Sequence, residues 1–235
     1  MAPNNDPLNT DETIDGPYGL KIVQRRKGYR YSADALLLAD FVTCDHRKVV
    51  CDLGTGSGVI PLILAKRKAA LKIVGIEIQP ELAALARRNV ELNGLEKAVE
   101  IMELDLRKVD ERFPCRGFDY VLSNPPYRDP KSGKITPNAE KAVARHEITC
   151  TMGDVLDAMK YLLKPSGRGA GACIYPAERF PELVENAKMR RLEPKRIQLV
   201  HPSREESAEL VMVEFVKEGN PGVDILPPIF TAQSV

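Results

Sequence analysis

Tryptophan is absent from this chain, and aromatic residues make up only 6% of it. The remaining composition, 43% hydrophobic and 29% charged, is that of an ordinary globular protein. No apolar run approaches the roughly 20 residues that a membrane-spanning helix needs. Nor does the N-terminus carry the charged-then-apolar pattern of a secretion signal, so a cytoplasmic location without membrane contact is expected. Five cysteines (44, 51, 115, 150 and 173) form no CxxC pair and leave an odd one over. Disulfides and a zinc site are therefore not expected; Cys51 and Cys173 fall in apolar strand patterns and read as buried thiols. His46, His146 and His201 lie far apart and form no ligand set, so no metal is expected. Internal repeats and interdomain linkers are missing too, and 235 residues suffice for one domain with a large core.

Excess charge is also small, a net +1, but it is unevenly spread. Residues 1–19 carry four acids and no base, leaving about +5 for the rest. Residues 21–30 hold Lys21, Arg25, Arg26, Lys27 and Arg30 with no acid, and residues 188–204 hold six bases against Glu193. Such clusters suit a phosphate backbone and equally suit solvated loops.

Along the chain, residues 1–19 read as a polar, flexible tail. Residues 20–23 and 29–31 read as a small hairpin, and Ser32 as the cap of a helix over 33–42. From there, strands predicted at 48–52, 72–77, 99–103, 118–123, 169–175, 192–200 and 209–216 alternate with helices at 58–68, 80–92, 139–147, 152–163 and 178–189. Pro80 opens its helix at the first position and Asn93-Gly94 closes it. The alternation predicts an α/β fold with a seven-stranded, mostly parallel sheet and helices on both faces. One domain is expected over 20–217, with an N-terminal extension at 20–45, a core at 46–217 and a coil tail at 218–235.

Two stretches carry chemistry. The first is Asp52-Leu-Gly54-Thr55-Gly56-Ser-Gly58, a strand running into a glycine turn and then a helix. Such a turn offers backbone N–H groups and the positive end of a helix dipole to a nucleotide-like ligand. The dinucleotide pattern would need glycine where Val59 stands, and the phosphate-cradling Gly-Lys-Ser/Thr is absent. Acids close the next two strands, Glu77 after the second and Asp105 after the third. A carboxylate accepts two hydrogen bonds at once, which suits a diol.

The second stretch, Asn124-Pro125-Pro126-Tyr127, follows the fourth strand. Asn124 Oδ1 and the Pro125 carbonyl can accept hydrogen bonds from an exocyclic amine and aim its lone pair. Pro125 and Pro126 fix the backbone without adding donors. Tyr127 offers a stacking face, worth roughly 1–3 kcal/mol per base in single-strand binders.

The glycine motif resembles motif I of the class I S-adenosylmethionine-dependent methyltransferases, whose fold is Rossmann-like. That resemblance implies that Asp52, Gly54, Thr55, Gly56 and Gly58 lie along the methionine part of the donor. It places Glu77 and Ile78 at the ribose and Asp105 and Leu106 at the adenine. Asn-Pro-Pro-Tyr resembles the signature of amino-methyltransferases, which modify adenine N6, cytosine N4, guanine N2 or a glutamine amide; Asn124, Pro125, Pro126 and Tyr127 would then be catalytic, with Asn124 also beside the donor. Together with residues 28–41 and Ala144-Arg-His-Glu147, these motifs make the chain similar to the bacterial tRNA(Val) adenine-N6 methyltransferase family over most of 20–217. The family modifies the adenine 3′ of the anticodon. By the same resemblance Tyr31 and Asp34 close over the donor, and tRNA is the expected partner. Rival readings are a release-factor glutamine methyltransferase and a DNA adenine methyltransferase. They usually carry a recognition domain for which residues 1–45 leave little room. Compact tRNA recognition would draw on the basic hairpin, the 128–138 loop and residues 188–204.

Overall fold

A computed structural model describes residues 9–27, 30–44, 47–67, 72–125, 150–165 and 167–232. Pro126, Tyr127, His46, His146, the 128–138 loop and the helix expected at 139–147 lie outside the described residues.

Strands β3 (Val49–Leu53), β4 (Lys72–Glu77), β5 (Val99–Glu103), β6 (Tyr120–Ser123), β7 (Ala170–Pro176), β8 (Leu192–His201) and β9 (Leu210–Lys217) form the body of one sheet. Their order is β8-β9-β7-β6-β3-β4-β5. Only β9 runs antiparallel to its neighbours, so β8 points the same way as β7. The predicted α/β architecture is therefore present, with boundaries shifted by one or two residues at most strand ends. β3 is paired on both sides, and its last four residues are buried, as the mostly apolar run Val-Val-Cys-Asp-Leu implies.

Side chains alternate across this sheet and divide the core in two. Val50, Ile73, Tyr120, Leu122 and Ile174 face helices α1 (Ala33–Phe41), α2 (Val59–Arg67) and α3 (Pro80–Leu92). Cys51, Leu53, Val121, Cys173 and Phe215 face α4 (Met152–Leu162) and α5 (Phe180–Met189). Cys51 and Cys173 are buried free thiols, as read from their strand patterns. α2 buries every residue from Val59 to Ala65, so it is enclosed all round. α4 begins at a capping box in which Thr151 Oγ1 accepts from the Asp154 N–H at 3.1 Å and Asp154 Oδ2 accepts from the Thr151 N–H at 2.8 Å.

Two expectations need correction. The N-terminal hairpin forms, but β2 (Val23–Arg25) pairs with β1 (Glu12–Ile14), not with residues 29–31. Residues 12–14 thus belong to a sheet rather than to a tail. Their acidity hid this, because Glu12 does not face water: it is 7% exposed and accepts from Arg88 Nη1 at 2.9 Å. Burial opposes its charge, but the Asn9 N–H and Arg88 outweigh that and hold the carboxyl below its usual range. The C-terminal residues, expected as coil, add β10 (Asp224–Ile225) and β11 (Ile229–Phe230). Both pair in parallel with the outer edge of β8. Their register is set by that remote edge, which proline-rich local sequence cannot reveal.

The hairpin is fastened to α3 by a ladder of side-chain amides. Asn89 accepts from the Val23 N–H at 2.8 Å and donates to the Val23 carbonyl at 3.1 Å. Asn93 does the same to Lys21, at 2.9 and 2.8 Å. Four residues of helix rise about 6 Å and two residues of strand about 6.6 Å, so the two spacings match. Asn89 is fully buried and also donates to the Ser57 carbonyl at 2.9 Å, tying the hairpin to the glycine turn.

Asn89→Ala leaves three buried backbone groups without this partner and should lower the unfolding free energy by about 2–3 kcal/mol. Asn93→Ala, at the exposed end, should cost less than about 1 kcal/mol. Urea unfolding of both variants checks the ladder; equal costs would show that the buried rung is not its anchor.

Candidate active site at the reversal of strand order

From β3 the chain steps outward through β4 and β5, then returns to place β6 on the other side of β3. The crossovers leave opposite ways at this point and open a crevice at the carboxyl ends of the strands. A cavity of about 360 Å³ lies there, of the size that small-molecule sites have.

Its floor is the glycine turn. Gly54, Gly56 and Gly58 have φ of 75°, 58° and 82°, a left-handed region that favours glycine at all three positions. The Gly54 and Thr55 N–H groups both donate to the Ile76 carbonyl at 2.9 Å, folding the turn over the end of β4. Gly75 makes that fold possible: a Cβ there would lie 2.9 Å from the Thr55 side chain and 2.8 Å from Ile101. Glu77 completes the clamp, its Oε2 accepting from the Gly56 N–H at 2.9 Å and its Oε1 from the Gln79 N–H at 3.0 Å.

Of the residues singled out from sequence, Asp34, Gly54, Gly56, Glu77, Ile78, Asp105, Leu106, Asn124 and Pro125 line this one cavity. Asp105 follows β5 and caps a short turn of helix at Leu106–Glu111 by accepting from the Arg107 N–H at 2.9 Å. The Arg107 guanidinium also grips it, with Nη2 at 2.6 Å, and holds its carboxyl below the usual range. Asn124 and Pro125 leave β6 next to Ser123, whose hydroxyl donates to the Leu53 carbonyl at 2.8 Å and so ties the end of β6 to the start of the turn. Ile78, Leu82, Leu104 and Leu106 give apolar walls beside the two acids. The cavity is thus an apolar slot flanked by the carboxylates of Glu77 and Asp105.

Other expected residues lie elsewhere. Asp52, Thr55 and Gly58 are buried and do not line the cavity. Asp52 Oδ2 accepts from the Thr55 hydroxyl at 2.6 Å, while its Oδ1 is buried without a hydrogen-bond partner. Burial pushes the Asp52 carboxyl up to about 7; the Thr55 hydroxyl opposes the shift and the charge of Glu77 adds to it. Tyr31 packs against the core, its N–H donating to Gln24 Oε1 at 3.1 Å, and does not line the cavity. Instead its neighbours Arg30 and Ser32 do.

Cys150, Gln79 and Ser123 also line the cavity without having been expected there. Ser123 and Gln79 adjoin the recognised strand ends, so adjacency could have found them. Cys150 is 25 residues beyond Pro125, and no local pattern announces it. Burial raises its thiol to about 12, so it stays protonated. Among the described residues no group of His, Cys, Asp and Glu could hold a metal ion, and no helix is long and apolar enough to cross a membrane.

Residues 31–147 match the family described as the methyltransferase small domain. Among curated proteins, the tRNA1(Val) (adenine(37)-N6)-methyltransferase of Trichodesmium erythraeum is 30% identical over 202 residues, covering 85% of this chain and 82% of that protein. The protein of that name from Shewanella halifaxensis is 32% identical over 155 residues, covering 65% of this chain but only 60% of the relative's length. Among solved structures, one described as a predicted O-methyltransferase from Agrobacterium tumefaciens aligns with a TM-score of 0.67 and 23% identity, over 84% of this chain and 86% of that one. This last likeness concerns the fold alone.

The raised carboxyl of Asp52 has a thermodynamic consequence. Between the unfolded carboxyl value of about 4 and the folded value, the native state holds a proton that the unfolded chain has released. Stability from this group is full below about pH 4 and is lost as pH rises through about 7. Asp52→Asn should flatten the stability curve between about pH 4 and 7, read by urea unfolding at each pH. A variant whose curve parallels the parent's would remove Asp52 as the titrating group.

Proposed function

The chain belongs to the tRNA1(Val) (adenine(37)-N6)-methyltransferase family, and from that premise we propose that it methylates the N6 amine of an adenine in a tRNA anticodon loop, with S-adenosylmethionine as donor. The observation that carries this reading is the convergence of two sites in one cavity. Glu77 and Asp105, with their apolar walls, share it with the carbonyl-bearing pair Asn124 and Pro125.

The residues present fit the donor. Glu77 accepts from the ribose hydroxyls, Asp105 from the adenine amine, and Ile78 and Leu106 enclose the ring. Gly54 and Gly56 bring backbone, without side chains, against the methionine part. Asp34 closes the same cavity from α1. When bound, S-adenosylmethionine supplies an electrophilic sulfonium methyl. The task of Asn124 is then positional. Its side-chain carbonyl and the Pro125 carbonyl accept the two N–H bonds of the adenine amine, which draws the nitrogen toward tetrahedral geometry and aims its lone pair. Holding nucleophile and electrophile in line accounts for much of such a barrier, and no strong base is required because the proton can leave after transfer. Tyr127 supplies a stacking face for the adenine. An anticodon loop suits this site, since extruding its adenine is less costly than breaking a duplex, where unstacking costs a few kcal/mol. A cytoplasmic location follows from a tRNA substrate.

Incubation with labelled donor and unmodified tRNA, followed by nucleoside analysis, tests the reading; no N6-methyladenosine in any RNA fraction would overturn it. Asn124→Ala should reduce turnover by about 10²-fold or more while changing donor affinity by less than about tenfold. Turnover equal to the parent's would remove Asn124 from the acceptor site.

A further inference from the structure

Among the described residues that line the cavity, Arg30 is the one cation-bearing side chain. The other charged groups there are Asp34, Glu77 and Asp105, all carboxylates. Asp105 is paired with Arg107, so a polyanion approaching this crevice meets the charge of Asp34 and Glu77 and needs a fixed positive group beside them.

The hairpin holds Arg30 through neutral acceptors. Its Nη1 donates to Thr13 Oγ1 at 3.0 Å and to the Arg25 carbonyl at 3.2 Å, both neutral acceptors. Neighbouring arginines are neutralised: Arg25 by Glu81 and Arg88 by Glu12, each at 2.9 Å. Arg30 has no ion pair among the described residues. Moreover, both of its bonds leave from Nη1, so the Nε–Nη2 edge is turned to neither. That edge is the planar fork that takes an oxyanion in a bidentate manner. Three other arginines of this chain use it so: Arg107 on Asp105, Arg190 on Asp157 and Arg179 on Glu182, with Nε and Nη2 each 2.6–3.0 Å from carboxylate oxygen.

We infer that Arg30, steadied through Nη1 by β1 and β2, receives on its Nε–Nη2 edge a phosphate next to the nucleotide being methylated. Arg30 is thus a substrate-positioning residue, and the function of the hairpin is to carry it. The inference rests on the tRNA-methylation reading above and adds to it the residue that seats the RNA backbone. It also explains the amide ladder: a guanidinium at a cavity mouth positions a flexible strand only if the hairpin behind it is tied down, here through Asn89 and Asn93 of α3.

Steady-state methylation of tRNA by the full chain tests this, with KM and kcat measured across a series of salt concentrations. Arg30→Gln should raise KM for tRNA about tenfold, leave kcat within about twofold, and lower the slope of log affinity against log salt by about 0.7, the value for one phosphate on a single strand. Donor affinity should stay at the parent's value, which also reports a folded variant. Arg30→Lys should recover the salt slope but only part of the KM, since an ammonium lacks the fork. Thr13→Val should raise KM with the slope intact, because the charge remains and only its steadying is lost. An Arg30→Gln enzyme with the parent's KM and salt slope overturns the assignment, while the parent's own methylation of tRNA stands. A parent that methylates no RNA overturns both.

Discussion

Strand order reverses at β3, with β4 and β5 on one side and β6 on the other, and everything at the site depends on that reversal. It separates two adjacent strand ends whose following segments diverge. One becomes the glycine turn and α2, the other becomes Asn124 and Pro125. The turn cannot relax away from this crevice, because it is fastened to β4 through the Ile76 carbonyl and the Glu77 carboxylate. The acid that the ligand would meet is thus the acid that fixes the floor beneath it. Loss of Glu77 would be expected to disturb the geometry as well as remove a hydrogen-bond acceptor.

A second layer supports the first from below. Asp52 and Thr55 bond to each other under the turn, and Asn89 joins Ser57 of the turn to the hairpin. Stability is compromised here for the sake of position. A buried carboxyl with one unpartnered oxygen costs free energy of the order of 1–3 kcal/mol, and it lies directly beneath the site where rigidity matters most. The core on either side of the sheet offsets that cost with apolar packing.

Much of this could be read from sequence, and the reasons for success and failure are physical. β4, α3 and β5 have the expected boundaries because Pro80, Asn93-Gly94 and β-branched runs act locally. The acids Glu77 and Asp105 were recognisable because they end strands, and strand ends in a parallel sheet converge. β1 was missed because its acid is matched by Arg88, 76 residues away, and no local pattern encodes that partner. Arg30 and Cys150 reach the cavity by tertiary folding alone. In the segment singled out by resemblance, Arg30, Ser32 and Asp34 line the cavity, while the Tyr31 phenol packs against the core.

The two short C-terminal strands have a consequence for assembly. A sheet ends in unpaired backbone groups, and such an edge is a template on which another copy can continue the ladder. At β8 residues 224–231 take that place: the Leu226 N–H donates to the Ile197 carbonyl at 2.8 Å and the Thr231 N–H to the His201 carbonyl at 2.9 Å. Their own outward edge is broken by Pro227 and Pro228 and by strands only two residues long, too short to register a partner. The sheet thus covers this edge with its own backbone between Arg196 and His201, which hinders strand addition along that part of β8.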